Sequence, residues 1–415
     1  MIKNKPNLFS PRNVEKAKKH VRKMLTRIKS MHAAGKKKLR DRLIVQYQQS
    51  IDARVLAVLE AYYALPPSRR PARKMLAAIA EAIRPCHPSK EPVIVHMIPK
   101  PNGDYRAVND FGIEQRARQY LFVPILETVA DLHPDQYAIR NGVPAAIDRV
   151  VTLEKEGYGW KIETDVKNCF TSFAGTNLDE YIPVMKRVID YVISATHLNV
   201  VPGPSIKYHF GLGSAGEDDP GDPVAFTKVL SVARQGLPQG SAVASIATEI
   251  LLAQPLKSLP TTARIVCYAD NILVMAKTKE DAVLVTSALW SALQAHPAGH
   301  LQPKLKSQSI PGQPFEFLGH QITPTKSSVN IAPAPKNEAK FTSRLQKDLA
   351  AIANPACLES NRNKIADDLR HFIDGWTASF WRCPGMPDRK TACLLELEKV
   401  LKLADEASAK KNPQP

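Results

Sequence analysis

Two aspartates lie beside short apolar segments, where a carboxylate can face a cleft and take part in chemistry. Asp165 stands at the end of a predicted strand in the segment ETDVKNCF, and Asp270 lies in CYADNILV, between two hydrophobic runs. An aspartate in a turn is most often there for its turn propensity. Neither residue alone therefore predicts a site, and the segment QGLPQGS between them, at residues 235–241, has to be considered with both.

In this order, the three segments resemble the successive palm motifs of reverse transcriptases. The matching patterns are Asp-x-x-x-x-Phe, Gly-Leu-Pro-Gln-Gly-Ser and Tyr-Ala-Asp-Asn. Two flanking segments agree, because Ile98–Arg106 resembles the fingers hairpin of that family and Phe315–His320 its primer-gripping strand. Each motif is weak alone, but five in one order over residues 92–322 are specific. Within this family, the motifs most resemble those of group II intron, retron and abortive-infection or defence-associated bacterial enzymes.

The resemblance implies a polymerase that uses two divalent cations, Mg²⁺ or alternatively Mn²⁺. In such sites the ions lie about 3.5–4 Å apart, activate the primer hydroxyl and stabilise the departing pyrophosphate. The implied ligands are the carboxylates of Asp165 and Asp270 and the backbone oxygen of Val166, since hard cations take oxygen ligands. Asn271 stands where the family usually has a second catalytic aspartate. Its amide oxygen can bind a metal but brings no charge, so we expect weaker metal binding and a shift towards Mn²⁺.

A nucleotide pocket is also implied by the resemblance. Phe170 would lie under the sugar and exclude a 2′-hydroxyl, which favours deoxynucleotides; the alternative is a core phenylalanine. Lys100 and Arg106, on the two arms of the predicted hairpin, would clamp the triphosphate, unless they are solvated surface charges. Gln239 and Gly240 would line the pocket, where glycine permits close approach of the backbone.

One lysine and one short strand complete the implied site. Lys306 resembles the catalytic lysine that helps the pyrophosphate leave, and Lys304 is a rival for that role. Phe317, Leu318 and Gly319 would form the primer grip.

Apolar patterning predicts the elements that position these residues. Helices are expected within residues 10–64, 72–83, 113–132, 240–252 and 336–405, the last set interrupted near Pro355 and Pro384–Pro387. Strands are expected at residues 93–98, 104–108, 160–165, 264–266, 272–275 and 315–322, with a surface loop over 202–223. The patterning predicts an α+β fold, and the resemblance implies that it is a right-hand polymerase with fingers, a palm built on an antiparallel sheet and a helical thumb.

The pattern and the resemblance together imply four regions. They are a basic helical N-terminal extension (1–85), fingers and palm (86–335), a helical thumb-like region (336–405) and a disordered tail (406–415). The net charge is +17, and residues 1–60 hold 16 Lys and Arg against 4 Asp and Glu, a balance of +12. Such an arm suits a polyanion, although a solvated helical face has the same composition.

Composition also excludes some classes. We find no apolar run of membrane-spanning length and no secretory signal, and the six cysteines have no C-x-x-C spacing that would indicate zinc. We therefore expect a cytoplasmic protein with reduced thiols and no membrane partner. No stretch resembles a nuclease, which disfavours a mobile intron enzyme.

Two functions remain. The first is an RNA-directed or non-templated DNA polymerase that uses deoxynucleotides, with an associated RNA, in bacterial defence against phages. The second is a weakly catalytic or silent subunit that binds RNA and serves a partner reverse transcriptase, or assembles with its own copies. Asn271 motivates the second function, and the presence of Asp165, Asp270 and Phe170 favours the first.

Overall fold

The computed structural model describes residues 7–99, 105–139, 141–173, 177–204 and 223–411. The chain divides into two compact units. The first unit holds Met1–Ile139, Asp165–Pro260 and Ser287–Lys304, and the second holds Arg140–Thr164, Thr261–Thr286 and Leu305–Pro415. The boundaries that we predicted at 85/86 and 335/336 both fall inside a unit.

Helices and strands together give the mixed α+β fold that the sequence predicts. The described helices are α1 (Pro11–Ala33), α2 (Lys37–Gln49), α3 (Ile51–Ala64), α4 (Leu76–Ala82), α5 (Ile113–Val129), α6 (Gly142–Lys155), α7 (Cys169–Ser172), α8 (Leu178–Tyr181), α9 (Lys186–Val188), α10 (Pro223–Ala233), α11 (Ala244–Lys257), α12 (Lys279–Gln294), α13 (Pro335–Ala353), α14 (Glu359–Ser379) and α15 (Met386–Lys411). The described strands are β1 (Val93–Pro99), β2 (Tyr105–Asp110), β3 (Trp160–Lys167), β4 (Val200–Pro202), β5 (Arg264–Tyr268), β6 (Asn271–Ala276), β7 (Gln302–Ser309), β8 (Phe315–Phe317), β9 (His320–Pro324) and β10 (Val329–Pro333).

The N-terminal helices of the first unit form as predicted. Ser10 caps α1, because its hydroxyl accepts a hydrogen bond from the backbone of Asn13 at 3.4 Å. One face of α1 buries Ala17, Val21 and Ile28, which recur at helical spacing. Helices α1, α2 and α3 contact one another, and α3 packs along α5. Within the described parts of the chain, no helix is both long and apolar enough to cross a membrane.

A three-stranded sheet of order β2–β1–β4 also lies in the first unit. Strands β1 and β2 are antiparallel, with Ile98 opposite Arg106, which confirms the predicted hairpin. Its turn, residues 100–104, lies outside the described residues. The buried side chains of Val93, Val95 and Phe111 form the core beneath it.

A second sheet has the order β5–β6–β3–β7. Strands β5 and β6 form an antiparallel hairpin in which Tyr268 pairs with Asn271. Four of the five side chains that follow Asn271 in β6 have no exposed surface at all, and the fifth is 1% exposed, so this strand is central and cannot shift without losing its core. The predicted palm strands at 160–165, 264–266 and 272–275 are thereby confirmed.

Three sequence predictions need correction. Residues 315–322 are not one strand, because Leu318 (φ 47°) and Gly319 (φ 79°) reverse the chain between β8 and β9. Helix α11 begins at Ala244, four residues later than residue 240, where we expected it, because Gly240 has φ 96°. Helix α15 continues to Lys411, past residue 405, where we placed the end of the helical region. Most of the predicted loop at 202–223 lies outside the described residues.

A buried ion pair supports the strand that carries Asp165. The ammonium of Lys161 in β3 lies 2.6 Å from the carboxylate of Glu154 in α6, and their side chains are only 1% and 4% exposed. Burial raises the pKa of Glu154 and lowers the pKa of Lys161. The same ammonium lies 4.4 Å from the centre of the Phe315 ring. Each charge is stable inside the protein only because the other is present.

Glu154→Gln should lower the free energy of unfolding by about 3–5 kcal/mol, because it leaves the Lys161 ammonium buried and unpaired. Urea unfolding measures the loss. The double variant Glu154→Leu/Lys161→Met is the control and should lose much less, because neither charge remains. A loss below about 1 kcal/mol for Glu154→Gln would show that the pair has no such role.

Candidate active site

Strand β3 presents three acidic or polar positions in succession. The side chains of Glu163 and Thr164 are buried at 3% and 0% exposure, while Asp165 is half-buried and Val166 is 1% exposed. Alternation along a strand places Glu163 and Asp165 on one face. The unit boundary falls between Thr164 and Asp165, so Asp165 belongs to the first unit and Glu163 to the second.

The turn between β5 and β6 carries Asp270, and Asn271 begins β6 directly after it. Ala269 has φ 52°, and this left-handed residue allows the chain to reverse within two residues. The amide nitrogen of Asn271 donates a hydrogen bond to the carboxylate of Asp270 over 3.2 Å. Asp270 is therefore oriented by its own neighbour in the sequence.

Lys306 in β7 joins this turn to β3. Its ammonium donates to Glu163 Oε1 at 2.8 Å and to Asn271 Oδ1 at 2.9 Å. The other oxygen of Glu163 accepts a hydrogen bond from the Ser307 hydroxyl at 2.9 Å. Of the two lysines that the sequence left open, Lys306 makes these bonds; Lys304 belongs to the first unit.

Glu163 is the residue that the sequence interpretation missed. It was part of the segment around Asp165 but received no role. The available signal was an acidic residue two positions before Asp165 in a predicted strand, because an acidic side chain that a strand buries needs a cationic partner.

In the first unit, the QGLPQGS segment is held between α7 and β2 by backbone bonds. Leu237 donates to the carbonyl of Phe170, and Asn109 donates to the carbonyl of Gln239, both at 2.8 Å. A Cβ at Gly236 (φ 60°) or Gly240 (φ 96°) would come within 3.0 Å of a backbone oxygen, that of Phe170 or Asn109. Only glycine fits at both positions.

These bonds bring together three of the residues predicted to bind the nucleotide. Phe170 is half-buried, so its ring is not a fully enclosed core side chain. Gln239 and Gly240 lie in the same segment and contact the backbone of Asn109 in β2. Arg106 lies on β2 three residues before Asn109. Lys100 lies outside the described residues.

A cavity of about 630 Å³ opens beside α7, entirely within the first unit. Its volume lies in the range of small-molecule sites. Most of its lining side chains are polar, among them Asn168, Thr171, Gln235 and His300. The cavity therefore suits a polar ligand better than an apolar one.

The predicted primer grip divides into a core residue and a turn. Phe317 is 1% exposed and belongs to the core, whereas Leu318 and Gly319 form the reversal between β8 and β9. The carbonyl of Gly319 accepts a hydrogen bond from the amide of Asn337 at 3.0 Å. This bond ties the turn to the first helix of the C-terminal region, α13.

Among the described residues, no group of three or more His, Cys, Asp and Glu side chains stands ready to hold a metal ion. At the β5–β6 turn the carboxylate oxygens of Asp270 are available donors, and in the first unit Asp165 offers its own carboxylate oxygens. An all-oxygen donor set fits Mg²⁺ or Mn²⁺ and does not fit zinc or copper.

Comparison with known proteins places these residues in a family. The profile described as reverse transcriptase (RNA-dependent DNA polymerase) matches residues 98–322. No curated protein matches the sequence. Among solved structures, telomerase from Candida albicans, in complex with a TWJ fragment of telomeric RNA, shows 10% identity and a TM-score of 0.35, over 78% of this chain and 61% of that one. Apo telomerase from Candida tropicalis, truncated from its C-terminal domain, shows 14% identity and a TM-score of 0.34, over 59% of this chain and 56% of that one.

Gly236→Ala should destabilise the protein more than Gly35→Ala does. Both glycines have a left-handed backbone, with φ 60° and φ 66°. A Cβ at Gly35 would meet no atom within 4 Å, whereas at Gly236 it would press on the Phe170 carbonyl. We expect a loss of about 1–2 kcal/mol for Gly35→Ala and about 1–3 kcal/mol more for Gly236→Ala, measured by urea unfolding. Equal losses would contradict the close packing of this segment.

Proposed function

The chain belongs to the reverse transcriptase family and is a nucleotidyltransferase, and from this we propose that it synthesises DNA from deoxynucleotides with an RNA template or an associated RNA. The observation that carries the proposal is the collinear match over residues 98–322, which includes Asp165, Phe170 and Asp270. The QGLPQGS segment supports it, because backbone bonds fix this segment against Phe170. The chain spans 61% and 56% of the two telomerase chains, so template and partners are part of the proposal.

Asp165 and Asp270, with the backbone oxygen of Val166, hold two divalent cations in this proposal. When bound, the ions activate the primer hydroxyl and stabilise the pyrophosphate. Asn271 orients the Asp270 carboxylate through the hydrogen bond described above. Mg²⁺ is the expected ion, and Mn²⁺ is expected to serve as well because one carboxylate of the family's set is an amide here.

Phe170 selects the sugar in this proposal. The backbone hydrogen bond from Leu237 to the Phe170 carbonyl fixes the backbone position from which the Phe170 ring extends. A fixed ring under the sugar leaves no space for a 2′-hydroxyl, so deoxynucleotides are accepted. Arg106 on β2, with Lys100, binds the triphosphate, since a guanidinium matches phosphate oxygens in two places. Gln239 and Gly240 line the base and sugar side.

Lys306 and the β8–β9 turn complete the proposed site. The Lys306 ammonium assists departure of the pyrophosphate, and Leu318 and Gly319 contact the primer strand. Phe317 supports them from the core.

A row of cations on α1 supports an RNA partner. Counterion release from phosphates drives binding to such a row. The apolar face of α1 is buried in the protein, so the helix cannot insert it into a membrane surface. The row recurs every three or four residues along the exposed side of the helix and consists of Arg12, Lys16, Lys19, Lys23 and Arg27.

Defence against phages is the biological role that the resemblance to bacterial defence enzymes favours. The alternative is a subunit with little activity that binds RNA for a partner reverse transcriptase or for a second copy of this chain. Asn271 is the observation that favours this alternative, because it removes one carboxylate from the family's metal-binding set.

Incorporation of labelled nucleotides tests the polymerase proposal. The purified protein, with its co-purified nucleic acid, should incorporate deoxynucleotides in Mg²⁺ or Mn²⁺, and Asp165→Ala should abolish incorporation. Prior digestion with ribonuclease should remove the signal if RNA is the template; a signal that persists indicates non-templated synthesis. Incorporation that survives in Asp165→Ala would contradict the proposal, and an inactive wild type would favour the silent subunit.

Phe170→Ala should weaken the preference for deoxynucleotides over ribonucleotides by at least about tenfold, because the ring that excludes the 2′-hydroxyl is gone. The ratio of kcat/KM for a matched nucleotide pair measures the preference. Leu237→Ala is the control, because it removes packing atoms next to Phe170 but keeps the Phe170 ring. An unchanged ratio in Phe170→Ala would mean that Phe170 is only a packing residue.

The double variant Lys16→Glu/Lys23→Glu should weaken RNA binding about tenfold and make it less dependent on salt. Removing one lysine that touches a phosphate lowers the slope of log affinity against log salt by about 0.7–0.9. Lys155→Glu/Lys279→Glu is the matched control, since it changes the net charge equally at exposed lysines of α6 and α12. Equal weakening by the two variants would show that only net charge matters.

A further inference from the structure

The side-chain amide of Asn271 is hydrogen-bonded at both ends. Its oxygen accepts from the Lys306 ammonium at 2.9 Å, and its nitrogen donates to Asp270 Oδ1 at 3.2 Å. An ammonium can only donate and a carboxylate can only accept, so the partners fix which end of the amide is which. An aspartate at this position could accept from Lys306 but could not donate to Asp270.

Lys306 is itself fixed by a buried acid. Glu163 is 3% exposed, and its two carboxylate oxygens are occupied by Lys306 at 2.8 Å and by the Ser307 hydroxyl at 2.9 Å. A buried carboxylate requires a cation, so the ammonium cannot leave without a large cost. The negative charge that balances Lys306 therefore comes from β3, and none is needed from residue 271.

We propose that Asn271 is a positioning residue that holds the Asp270 carboxylate and the Lys306 ammonium in a fixed relation, with its amide oxygen committed to Lys306 and not to a metal. This inference rests on the proposed function, in which Asp270 binds a cation. Asparagine in place of the family's aspartate is then compatible with a functional site. Glu163 balances the charge of Lys306, and the Asn271 amide supplies a hydrogen-bond donor that a carboxylate lacks.

Asn271→Asp should consequently not increase the activity. It removes the donor to Asp270 and places a second negative charge beside that carboxylate, where like charges oppose each other. It also places a second carboxylate beside Lys306, in competition with Glu163. We expect kcat to fall about tenfold. If Asn271 were a weakened metal ligand, the same variant would raise kcat.

Calorimetric titration of the nucleotide-free full chain with Mn²⁺ provides a readout that does not depend on turnover. Asn271→Ala should leave the Kd for Mn²⁺ within about threefold of the wild type, while Asp270→Ala should weaken it at least tenfold. Equal weakening by the two variants would overturn the inference, because it would make the amide a ligand. Thermal unfolding of each variant, at matched protein concentration, confirms that the chains compared are folded.

A double-variant cycle then tests whether Asn271 acts through the same ammonium as Glu163. Asn271→Ala and Glu163→Gln should each lower kcat about tenfold with little change in KM for the deoxynucleotide. The double variant should be no slower than the slower single variant, because both hold Lys306. A hundredfold loss in the double variant would mean independent roles and would contradict the inference. Ser307→Ala is the control, since Ser307 binds Glu163 but does not bind Asn271.

The two proposals fail in different ways. If the wild type binds Mn²⁺ but incorporates no deoxynucleotide, the polymerase proposal fails, and the comparison of Asn271→Ala with Asp270→Ala still decides the role of the amide. If the wild type binds no Mn²⁺, Asp270 is not a metal ligand and the inference on Asn271 is overturned with it.

Discussion

The buried carboxylate of Glu163 is the constraint on which the arrangement of Lys306, Asn271 and Asp270 in the second unit depends. Burial at 3% exposure obliges it to take a cation, and Lys306 supplies that cation across 2.8 Å. Lys306 in turn orients Asn271, and Asn271 orients Asp270. These bonds follow from the requirement that the Glu163 charge is not buried without a partner.

A different constraint, close backbone packing, orders the QGLPQGS segment of the first unit. The segment from Gly236 to Gly240 lies so near the carbonyls of Phe170 and Asn109 that side chains are excluded at both glycines. Backbone bonds then set the position of Phe170 with no side-chain partner needed. The positions of Phe170 and Gln239 therefore rest on steric fit, whereas the turn at Asp270 rests on charge.

Much of the fold could be predicted from apolar patterning, because the helices within 10–64 and the strands of the palm follow regular hydrophobic spacing. The turn at Leu318 could not, since a leucine with φ 47° breaks the usual backbone preference and is imposed by the pairing of β8 with β9. The motifs predict roles for Asp165, Asp270 and Phe170 from residue type and order, and these roles stay predictions. The part played by Glu163 and the orientation of the Asn271 amide depend on contacts between strands far apart in sequence, which no local pattern records.

Anomalous scattering of manganese, in crystals of the full chain grown with Mn²⁺, would locate the ion relative to Asp270 and Asn271. We expect manganese bound to the Asp270 carboxylate, with Asn271 Oδ1 outside the coordination sphere and still within hydrogen-bonding distance of Lys306. Manganese bonded directly to Asn271 Oδ1, with Lys306 released from it, would contradict the central claim.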